Sequence, residues 1–275
     1  MRFGNAAWGF RETPIENQLK ITSEMGLGIL EIGIANANTK GEIPLDVTEQ
    51  RLKEILKMSE AYNVEILCAA TGNDFTAGIE DVQKIKKVID ICGKLRVKYL
   101  RIFTGFMPIC DVKNCVFDMM IKSLCEVCDY AEENKVIPVI ETHGAVNGYD
   151  DGVEHIMSSS TDIVMLEKIL KLIPDNAKVC YDPANLYAVG VEEPQKFYEA
   201  VKSKVAYAHF KDFAVLESGH LKPSFCGDGN MNWNTILNTM NDFDGFAVFE
   251  YENVEDIREG LEKSYNFIKG VSRNE

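Results

Sequence analysis

The sequence predicts a single-domain (β/α)₈ barrel over residues 1–275, and two observations lead to this fold class. Apolar runs of strand length alternate with longer segments of helical period, and no Pro/Ser/Gly-rich linker separates them. This alternation is typical of parallel βα units. The length of 275 residues also fits, because such barrels use about 250 residues as one domain. The active site is then expected at the C-terminal ends of the strands.

Eight apolar runs are predicted as the barrel strands. They are residues 2–8, 28–34, 64–70, 99–105, 136–141, 177–182, 205–209 and 246–250. Segments with apolar residues on one helical face separate them, the clearest being residues 47–62, 80–94, 116–133 and 254–270. Gly93 is placed to end the second of these helices.

Two connections are longer than the others, residues 144–162 and 210–232, and both are predicted as loops. Loops of more than about 12 residues in a compact domain are often lids or binding loops. A solvated surface excursion is the alternative for residues 144–162.

Composition and charge exclude several classes of protein. Hydrophobic residues make up 46% and charged residues 26% of the chain, as in ordinary globular domains. The net charge of −14 repels phosphate backbones and anionic lipid, so neither a nucleic acid nor a membrane is expected as a partner. The N-terminus has no apolar stretch of signal-peptide length, which predicts a cytoplasmic protein.

The chain has eight cysteines, and most of them lie inside apolar periodic segments. A reduced thiol packs there as a small hydrophobic group, so structural cysteines are expected rather than disulfides. Cys125 and Cys128 form a C-x-x-C pattern within a predicted helix. No second cysteine pair stands at zinc-ribbon spacing, which disfavours a metal or redox role.

Four polar residues close the last four predicted strands: Glu141, Asp182, His209 and Glu250. A carboxylate or imidazole after an apolar run costs free energy unless something pairs it, and a divalent cation is a simple partner. Because neighbouring strands lie only about 4.8 Å apart, these four side chains are expected to converge at the barrel axis.

The predicted cofactor is therefore one divalent metal ion bound by these four residues. Three carboxylates and one imidazole suit Mn²⁺, with Mg²⁺, Co²⁺ or Zn²⁺ as the other choices. Each residue alone has an ordinary structural explanation. A Glu at a strand end is often a solvated rim residue, a His is often a hydrogen-bonded core group, and Asp182 before Pro183 is a helix N-cap. Their recurrence on successive strand ends favours the metal.

Such an ion suits proton abstraction next to a carbonyl, because it stabilises the negative charge of the enediolate that forms. If Glu141 and Glu250 approach the substrate from opposite faces, one removes the proton and the other returns it, which is epimerisation. One base shuttling between adjacent carbons gives isomerisation, and loss of a β-hydroxyl gives dehydration. Three carboxylates and one M²⁺ leave a negative centre, which favours a neutral sugar or polyol substrate.

Five short motifs lie at or after the ends of the last four predicted strands: ETHG at 141–144, DPAN at 182–185, HFKD at 209–212, CGDGNMNW at 226–233 and FEYE at 249–252. This motif series resembles that of the xylose isomerase-like TIM barrel superfamily, which includes the sugar phosphate isomerases and epimerases. The resemblance implies a (β/α)₈ TIM barrel in which Glu141, Asp182, His209 and Glu250 bind one metal. It also implies that Glu141 and Glu250 are the catalytic acid/base pair.

Further residues are predicted to bind the substrate. Asn185 stands where many family members place a substrate-contacting His, so this chain departs from that pattern. His143 follows Glu141 directly in the motif, Lys211 is a cation available for orientation, and Trp8 ends the first predicted strand. Trp8 and Glu31, at the ends of the first two strands, are expected to stack on or hydrogen-bond a sugar, and packing at the barrel rim is the alternative for both.

The predicted function is a metal-dependent isomerase or epimerase of a sugar or polyol, and a homo-oligomer is the expected assembly. A metal-dependent lyase, such as an inosose or dehydroshikimate-type dehydratase, is the alternative. A non-catalytic sugar-binding barrel would keep the ligands without turnover. An apurinic endonuclease with three zinc ions is disfavoured, because it needs more histidines than the four in this chain.

Overall fold

The computed structural model describes residues 1–271, and its centre is a closed barrel of eight parallel strands. The strands are β1 (Arg2–Asn5), β2 (Ile29–Ile34), β3 (Glu65–Ala70), β4 (Tyr99–Ile102), β5 (Ile137–Glu141), β6 (Lys178–Tyr181), β7 (Val205–Phe210) and β8 (Phe246–Phe249). They pair in chain order, and β1 closes the ring by pairing with both β2 and β8. The predicted fold class is confirmed, although β1 and β4 end earlier than expected.

Nine α-helices are found within residues 1–271. They are α1 (Ile15–Glu24), α2 (Glu49–Tyr62), α3 (Glu80–Leu95), α4 (Asn114–Glu133), α5 (Ile163–Leu172), α6 (Pro183–Ala188), α7 (Pro194–Val201), α8 (Trp233–Thr239) and α9 (Ile257–Val271). Short 3₁₀ turns cover Trp8–Phe10, Ile109–Asp111 and Lys202–Lys204. The prediction that Gly93 ends α3 is wrong. The helix continues to Leu95, and Arg96 takes the left-handed conformation at φ 59° that ends it.

The apolar core forms two shells. The larger shell lies between the strands and the helices, with residues such as Leu30, Ile89 and Phe249. The smaller one fills the barrel and includes Ile29, Val139, Cys180, Tyr207 and Val248. Because side chains alternate along a strand, the residue two positions after each of these interior groups also faces the barrel axis. These residues form a second layer of side chains inside the barrel, nearer the C-terminal ends of the strands.

The two connections predicted as loops contain regular structure, so that prediction is wrong. A hairpin of Ala145–Gly148 and Val153–Ile156 follows β5, and a hairpin of Asp212–Val215 and Leu221–Ser224 follows β7. Leu221 pairs with Val153, which joins both hairpins into one antiparallel sheet that we call the lid sheet. The turns at 149–152 and 216–220 separate short alternating strands, which is a hairpin signal that the sequence analysis overlooked.

All eight cysteines are free thiols, as predicted. Cys128 is buried on α4 and Cys125 is partly buried, and burial raises the pKa of the Cys128 thiol to about 12. A neutral buried thiol is a poor nucleophile and a poor metal ligand. Within residues 1–271, no helix is long and apolar enough to cross a membrane.

Candidate metal centre

A charged layer lies directly above the apolar filling of the barrel. Each of the four predicted ligands stands two residues after an interior apolar residue of its own strand. The pairs are Val139 with Glu141, Cys180 with Asp182, Tyr207 with His209, and Val248 with Glu250. All four ligands are buried, and one ligand atom from each lies within 4.8 Å of the others. The structure therefore brings together the four side chains that the sequence singled out.

His209 is at the centre of this group. Its Nδ1 atom lies 3.2 Å from Glu141 Oε1 and 3.4 Å from Glu250 Oε1. Its other ring nitrogen, Nε2, lies 3.0 Å from Glu31 Oε2. Despite burial, the neighbouring carboxylates raise the pKa of His209 well above its ordinary value, so the metal-free ring is a cation. With an ion bound, the carboxylate at Nε2 would keep the proton on that nitrogen and leave the Nδ1 lone pair for the ion.

Glu31 is held in place by two other groups. The Tyr207 hydroxyl donates to Oε2 over 2.8 Å, and the Ala7 backbone N–H donates to Oε1 over 3.2 Å. Glu31 is fully buried and does not line the cavity described below. The expectation that Glu31 contacts a sugar is therefore wrong, since the side chain orients His209 instead.

Arg101 was missed by the sequence analysis. It occupies the layer position on β4, two residues after Tyr99, and its Nε lies 3.2 Å from Glu141 Oε2. Its Nη1 donates to the Thr71 carbonyl over 3.1 Å. The signal in the sequence was a single Arg inside the apolar run YLRIF, because a buried guanidinium requires a partner.

Lys211 pairs with Glu250 as Arg101 pairs with Glu141. Its Nζ lies 2.7 Å from Glu250 Oε2 and 2.9 Å from Glu252 Oε1, and it approaches Asp182 Oδ2 at 3.5 Å. Each flanking glutamate thus has one oxygen near His209 and its other oxygen on a buried cation. Arg101 and Lys211 add two positive charges to this layer, and the charge of Arg101 was not included in the sequence-based argument for a neutral substrate.

Asp182 has two roles. Its Oδ1 accepts the Asn185 backbone N–H over 2.9 Å and caps α6, so the N-cap interpretation is correct. Its Oδ2 has no hydrogen-bond partner although it is buried. The Asn185 side chain is also buried and donates to Glu141 Oε1 over 3.2 Å. Asn185 therefore supports a carboxylate and does not line the cavity where substrate was predicted to contact it.

The pKa values follow from burial and from these pairings. Burial opposes ionisation of Glu141, but Arg101 and His209 outweigh it and lower the pKa of Glu141 to about 2. Lys211 and His209 likewise lower the pKa of Glu250 well below its ordinary value despite burial. Burial raises the pKa of Asp182 to about 7. Glu141 and Glu250 are thus ionised at neutral pH, and Asp182 needs a further positive charge beside it.

The donor set fits a divalent cation. His209 Nδ1 and Asp182 Oδ2 are both buried without a hydrogen-bond partner, and both belong to the four-residue group. Orphaned polar atoms in a protein interior require an explanation, and an ion bound between them supplies one. Three carboxylate oxygens and one imidazole nitrogen match the preferences of Mn²⁺ and similar metals.

A cavity of about 1290 Å³ opens onto this layer. Glu141, Glu250 and Arg101 form part of its wall, together with three of the predicted substrate contacts, Trp8, His143 and Lys211. The Arg11 guanidinium lies 4.6 Å from the Trp8 ring centroid. Asp182 and His209 do not line the cavity.

His143 has a defined tautomer. Its Nδ1 contacts the Gly144 carbonyl, which can only accept, so Nδ1 carries the proton. Burial lowers the pKa of His143. The neutral ring therefore has its lone pair on Nε2, and His143 is a potential proton acceptor at the wall of the cavity beside Glu141.

The HFKD and CGDGNMNW segments act together as a structural unit. The buried Asp212 carboxylate accepts hydrogen bonds from the Gly227 and Met231 backbone N–H groups and from Trp233 Nε1. A Cβ at Gly229 would lie 2.1 Å from Asp212 Oδ1. The glycine-rich turn is thus a structural feature that fixes the loop after β7.

Comparison with known proteins adds a family and several distant relatives. The family model described as "Xylose isomerase-like TIM barrel" matches residues 19–270. The fructoselysine 3-epimerase of Shigella flexneri is 20% identical over 262 residues, which cover 91% of this chain and 90% of that protein.

Two solved structures have the same fold. The probable 3-DHS dehydratase AsbF from Bacillus anthracis matches with a TM-score of 0.79 and 14% identity, covering 98% of this chain and 99% of that one. An L-ribulose 3-epimerase matches with a TM-score of 0.77 and 13% identity, covering 99% and 96%. At these identities the likeness shows the fold alone.

Proposed function

This chain belongs to the xylose isomerase-like TIM barrel family, and we propose that it is a divalent-metal-dependent isomerase or epimerase of a sugar or polyol. The observation that carries the proposal is the convergence of Glu141, Asp182, His209 and Glu250 within 4.8 Å. The distant relationship to a fructoselysine 3-epimerase supports the same class of activity. A cytoplasmic location and a homo-oligomeric assembly stay predictions.

Four residues would hold the ion: Glu141, Asp182, His209 and Glu250. Mn²⁺ is our first choice on the basis of the donor set. When bound, the ion stabilises negative charge that develops on substrate oxygen as a carbon-bound proton leaves. Glu31 keeps His209 in the tautomer that a ligand requires, because its carboxylate lies 3.0 Å from Nε2.

Glu141 and Glu250 would move the proton. Both carboxylates line the cavity and are ionised at neutral pH, so each can accept a proton from a substrate carbon. Arg101 and Lys211 fix the second oxygen of each carboxylate, at 3.2 and 2.7 Å. This arrangement orients two bases toward one space, which is the requirement for removal of a proton by one and its return by the other.

The test is solvent proton exchange. The Mn²⁺-loaded protein is incubated in D₂O with a panel of ketoses, aldoses and inososes, and deuterium incorporation is followed by NMR. We expect deuterium at one carbon with inversion or with carbonyl transfer, loss of exchange with EDTA, and recovery with Mn²⁺ or Co²⁺. Exchange that is indifferent to chelation in a verified metal-free protein would contradict the proposal.

Dehydration of a hydroxylated keto acid is a second candidate, favoured by one feature of the cavity. Arg101 and Lys211 are buried cations in its wall, and such a pair suits a substrate carboxylate. His143, with its free Nε2, would take the proton from the carbon next to the carbonyl. The imidazolium formed would return that proton to the β-hydroxyl, which would leave as water as the carbon–carbon double bond forms. A new carbon–carbon double bond in the NMR panel would identify this reaction.

A further inference from the structure

The cavity in front of the charged layer is larger than one sugar ring requires. Its volume is about 1290 Å³, whereas pockets that bury a drug-sized ligand usually measure about 300–1,000 Å³. A single hexose is smaller than such a ligand. A sugar held between Glu141 and Glu250 therefore leaves most of this cavity to another group.

The cavity continues from the barrel axis to the ring of helices. Its inner end is formed by the charged layer, and its outer end includes Gly260 and Lys263 on α9. Phe225 and Tyr251 supply aromatic surface there, and Lys263 Nζ lies 5.1 Å from the Phe225 ring centroid. The outer end thus has walls of its own, separate from the four proposed ligands.

The lid sheet connects the two ends. Ala214 and its strand partner Lys222 both line the cavity. Ala214 stands three residues after Lys211 and lies on the lid sheet instead of a barrel strand. Val215, the next residue, is 47% exposed and is not part of the cavity wall. A group beside Ala214 therefore lies against the lid sheet, on a different part of the cavity wall from Glu141 and Glu250.

The outer wall suits a polar group. Besides the aromatic surface it presents carboxylates, an amide and ammonium groups, from Lys222, Asp228, Asn253, Glu255 and Lys263. Ring faces of Phe and Tyr pack against flat parts of a ligand, and the polar side chains hydrogen-bond its substituents.

We propose that the substrate is a sugar joined to a second polar group, about the size of another sugar or an amino acid. The sugar occupies the charged layer, and the second group lies between the lid sheet, Phe225 and α9. This inference rests on the proposed function for the placement of the sugar. It adds that a free monosaccharide is a truncated substrate.

The experiment compares free and conjugated sugars on the Mn²⁺-loaded protein. Each ketose of the panel is tested free, as part of a disaccharide and as an amino-acid conjugate, and kcat/KM for deuterium exchange is measured. Because binding of a remote group can be used to accelerate the chemical step, we expect kcat/KM to be about 100-fold higher for one conjugate than for its free sugar. The disaccharide and amino-acid arms tell the two kinds of second group apart.

Two variants on one lid strand provide the matched control. Ala214→Trp fills the outer cavity and is expected to lower kcat/KM for the conjugate by about 10-fold or more, with the free sugar changed by less than about 2-fold. Val215→Trp adds the same side chain on the opposite face and should change neither. Circular dichroism verifies folding, and Ala214→Leu replaces the Trp variant if that variant is misfolded.

Equal kcat/KM for free and conjugated sugars would overturn the inference, as would an Ala214→Trp variant that slows both equally. Absence of exchange with every sugar is a failure of the proposed function instead. In that case calorimetry decides the inference: conjugates must bind the Mn²⁺-loaded protein more tightly than free sugars and lose that advantage in Ala214→Trp. Equal affinity, or no binding, overturns it.

Discussion

The two halves of the barrel contribute differently to the same charged layer. Strands β5 to β8 supply the four proposed ligands, Glu141, Asp182, His209 and Glu250. At the corresponding position of β2, Glu31 contacts His209, and at that of β4, Arg101 contacts Glu141. The corresponding residue of β3 is Ala70. One half carries the proposed ligands, and the other half carries side chains that hold those ligands in place.

The difference shows how a metal site can be stable before the metal binds. Glu141 and Glu250 already have buried partners of opposite charge, Arg101 and Lys211, so neither of these carboxylates stands alone in the core. Breaking such a pair by removing one member is costly, because an uncompensated charge is left behind. We therefore expect substitutions in the supporting half to change orientation and stability, and substitutions in the ligand half to change the proposed chemistry.

The largest expected effect comes from the ligand half. Glu250→Gln removes a proposed ligand and base while keeping the side-chain shape, and turnover should fall by about 10²–10⁴-fold. The fold should be retained, as judged by circular dichroism, and metal content by mass spectrometry should drop. Glu60→Gln, an exposed change on α2, controls for loss of one negative charge. Full activity in Glu250→Gln would remove Glu250 from the mechanism.

This contrast also explains what the sequence could predict. The ligands of β5 to β8 were visible because each one ends an apolar run, and parallel strands bring their ends together. Arg101 stands inside a run, and its partner Glu141 lies 40 residues further along the chain. Only the register between β4 and β5, in which Ile102 pairs with Ile140, makes that contact evident.

Asn185 and Glu31 were found but assigned to the wrong contact. Both were expected to touch a sugar, and both are fully buried against other site residues. A sequence pattern reports that a polar residue is near a strand end, but not which neighbouring side chains separate it from the cavity. Glu31 contacts His209 and Asn185 contacts Glu141, and both contacts join residues far apart in the chain.

Removal of the supporting cation tests stability. Arg101→Met leaves Glu141 without its buried partner, so the free energy of unfolding of the metal-free protein should fall by about 3–5 kcal/mol. Saturating Mn²⁺ should restore part of this loss, because the ion compensates the same carboxylate. Denaturant titrations with and without Mn²⁺ measure both effects.

The matched control is Arg258→Met, which breaks an exposed pair with Glu24 on the protein surface. Such pairs contribute roughly 0–1 kcal/mol. If Arg101→Met costs no more than Arg258→Met, the supporting role assigned to β4 is wrong.

Glu31→Gln tests orientation and should have a smaller effect. The substitution keeps an acceptor near His209 Nε2 but removes its charge, and loss of such an outer partner usually costs about 10–100-fold in metal affinity. Tyr207→Phe removes only one hydrogen bond to Glu31, so its affinity should lie between those of the wild type and Glu31→Gln. Competition with a fluorescent Mn²⁺ chelator gives the three constants. An unchanged Mn²⁺ affinity in Glu31→Gln would mean that the charge of Glu31 does not orient His209 and that packing alone does.

The smallest effect concerns pH, and it is expected in the loops of the ligand half. His155 lies on the lid sheet after β5, with its ring 5.2 Å from Phe213 and 6.0 Å from His143. Burial, together with Lys211 and His143, lowers the pKa of His155 to about 3 from an ordinary value of 6.5. Between these pH values the unfolded lid sheet therefore binds more protons than the folded lid sheet. The contribution of His155 to the stability of the lid sheet is fully present above pH 6.5 and is lost as pH falls toward 3.

Hydrogen exchange, corrected for intrinsic rates, should then show opening of residues 145–156 and 212–224 as pH falls below 6.5, with β1 to β4 unchanged. His155→Phe keeps an aromatic ring against Phe213 and removes the titrating group, so the pH dependence of this opening should become flatter. His220→Phe is the comparison, since His220 belongs to the same sheet region and is partly exposed beside Asp151. An identical pH dependence in wild type and His155→Phe would mean that acid opens the lid sheet through another group. If β1 to β4 open as much as the lid sheet does, the two halves of the barrel do not differ in their sensitivity to acid.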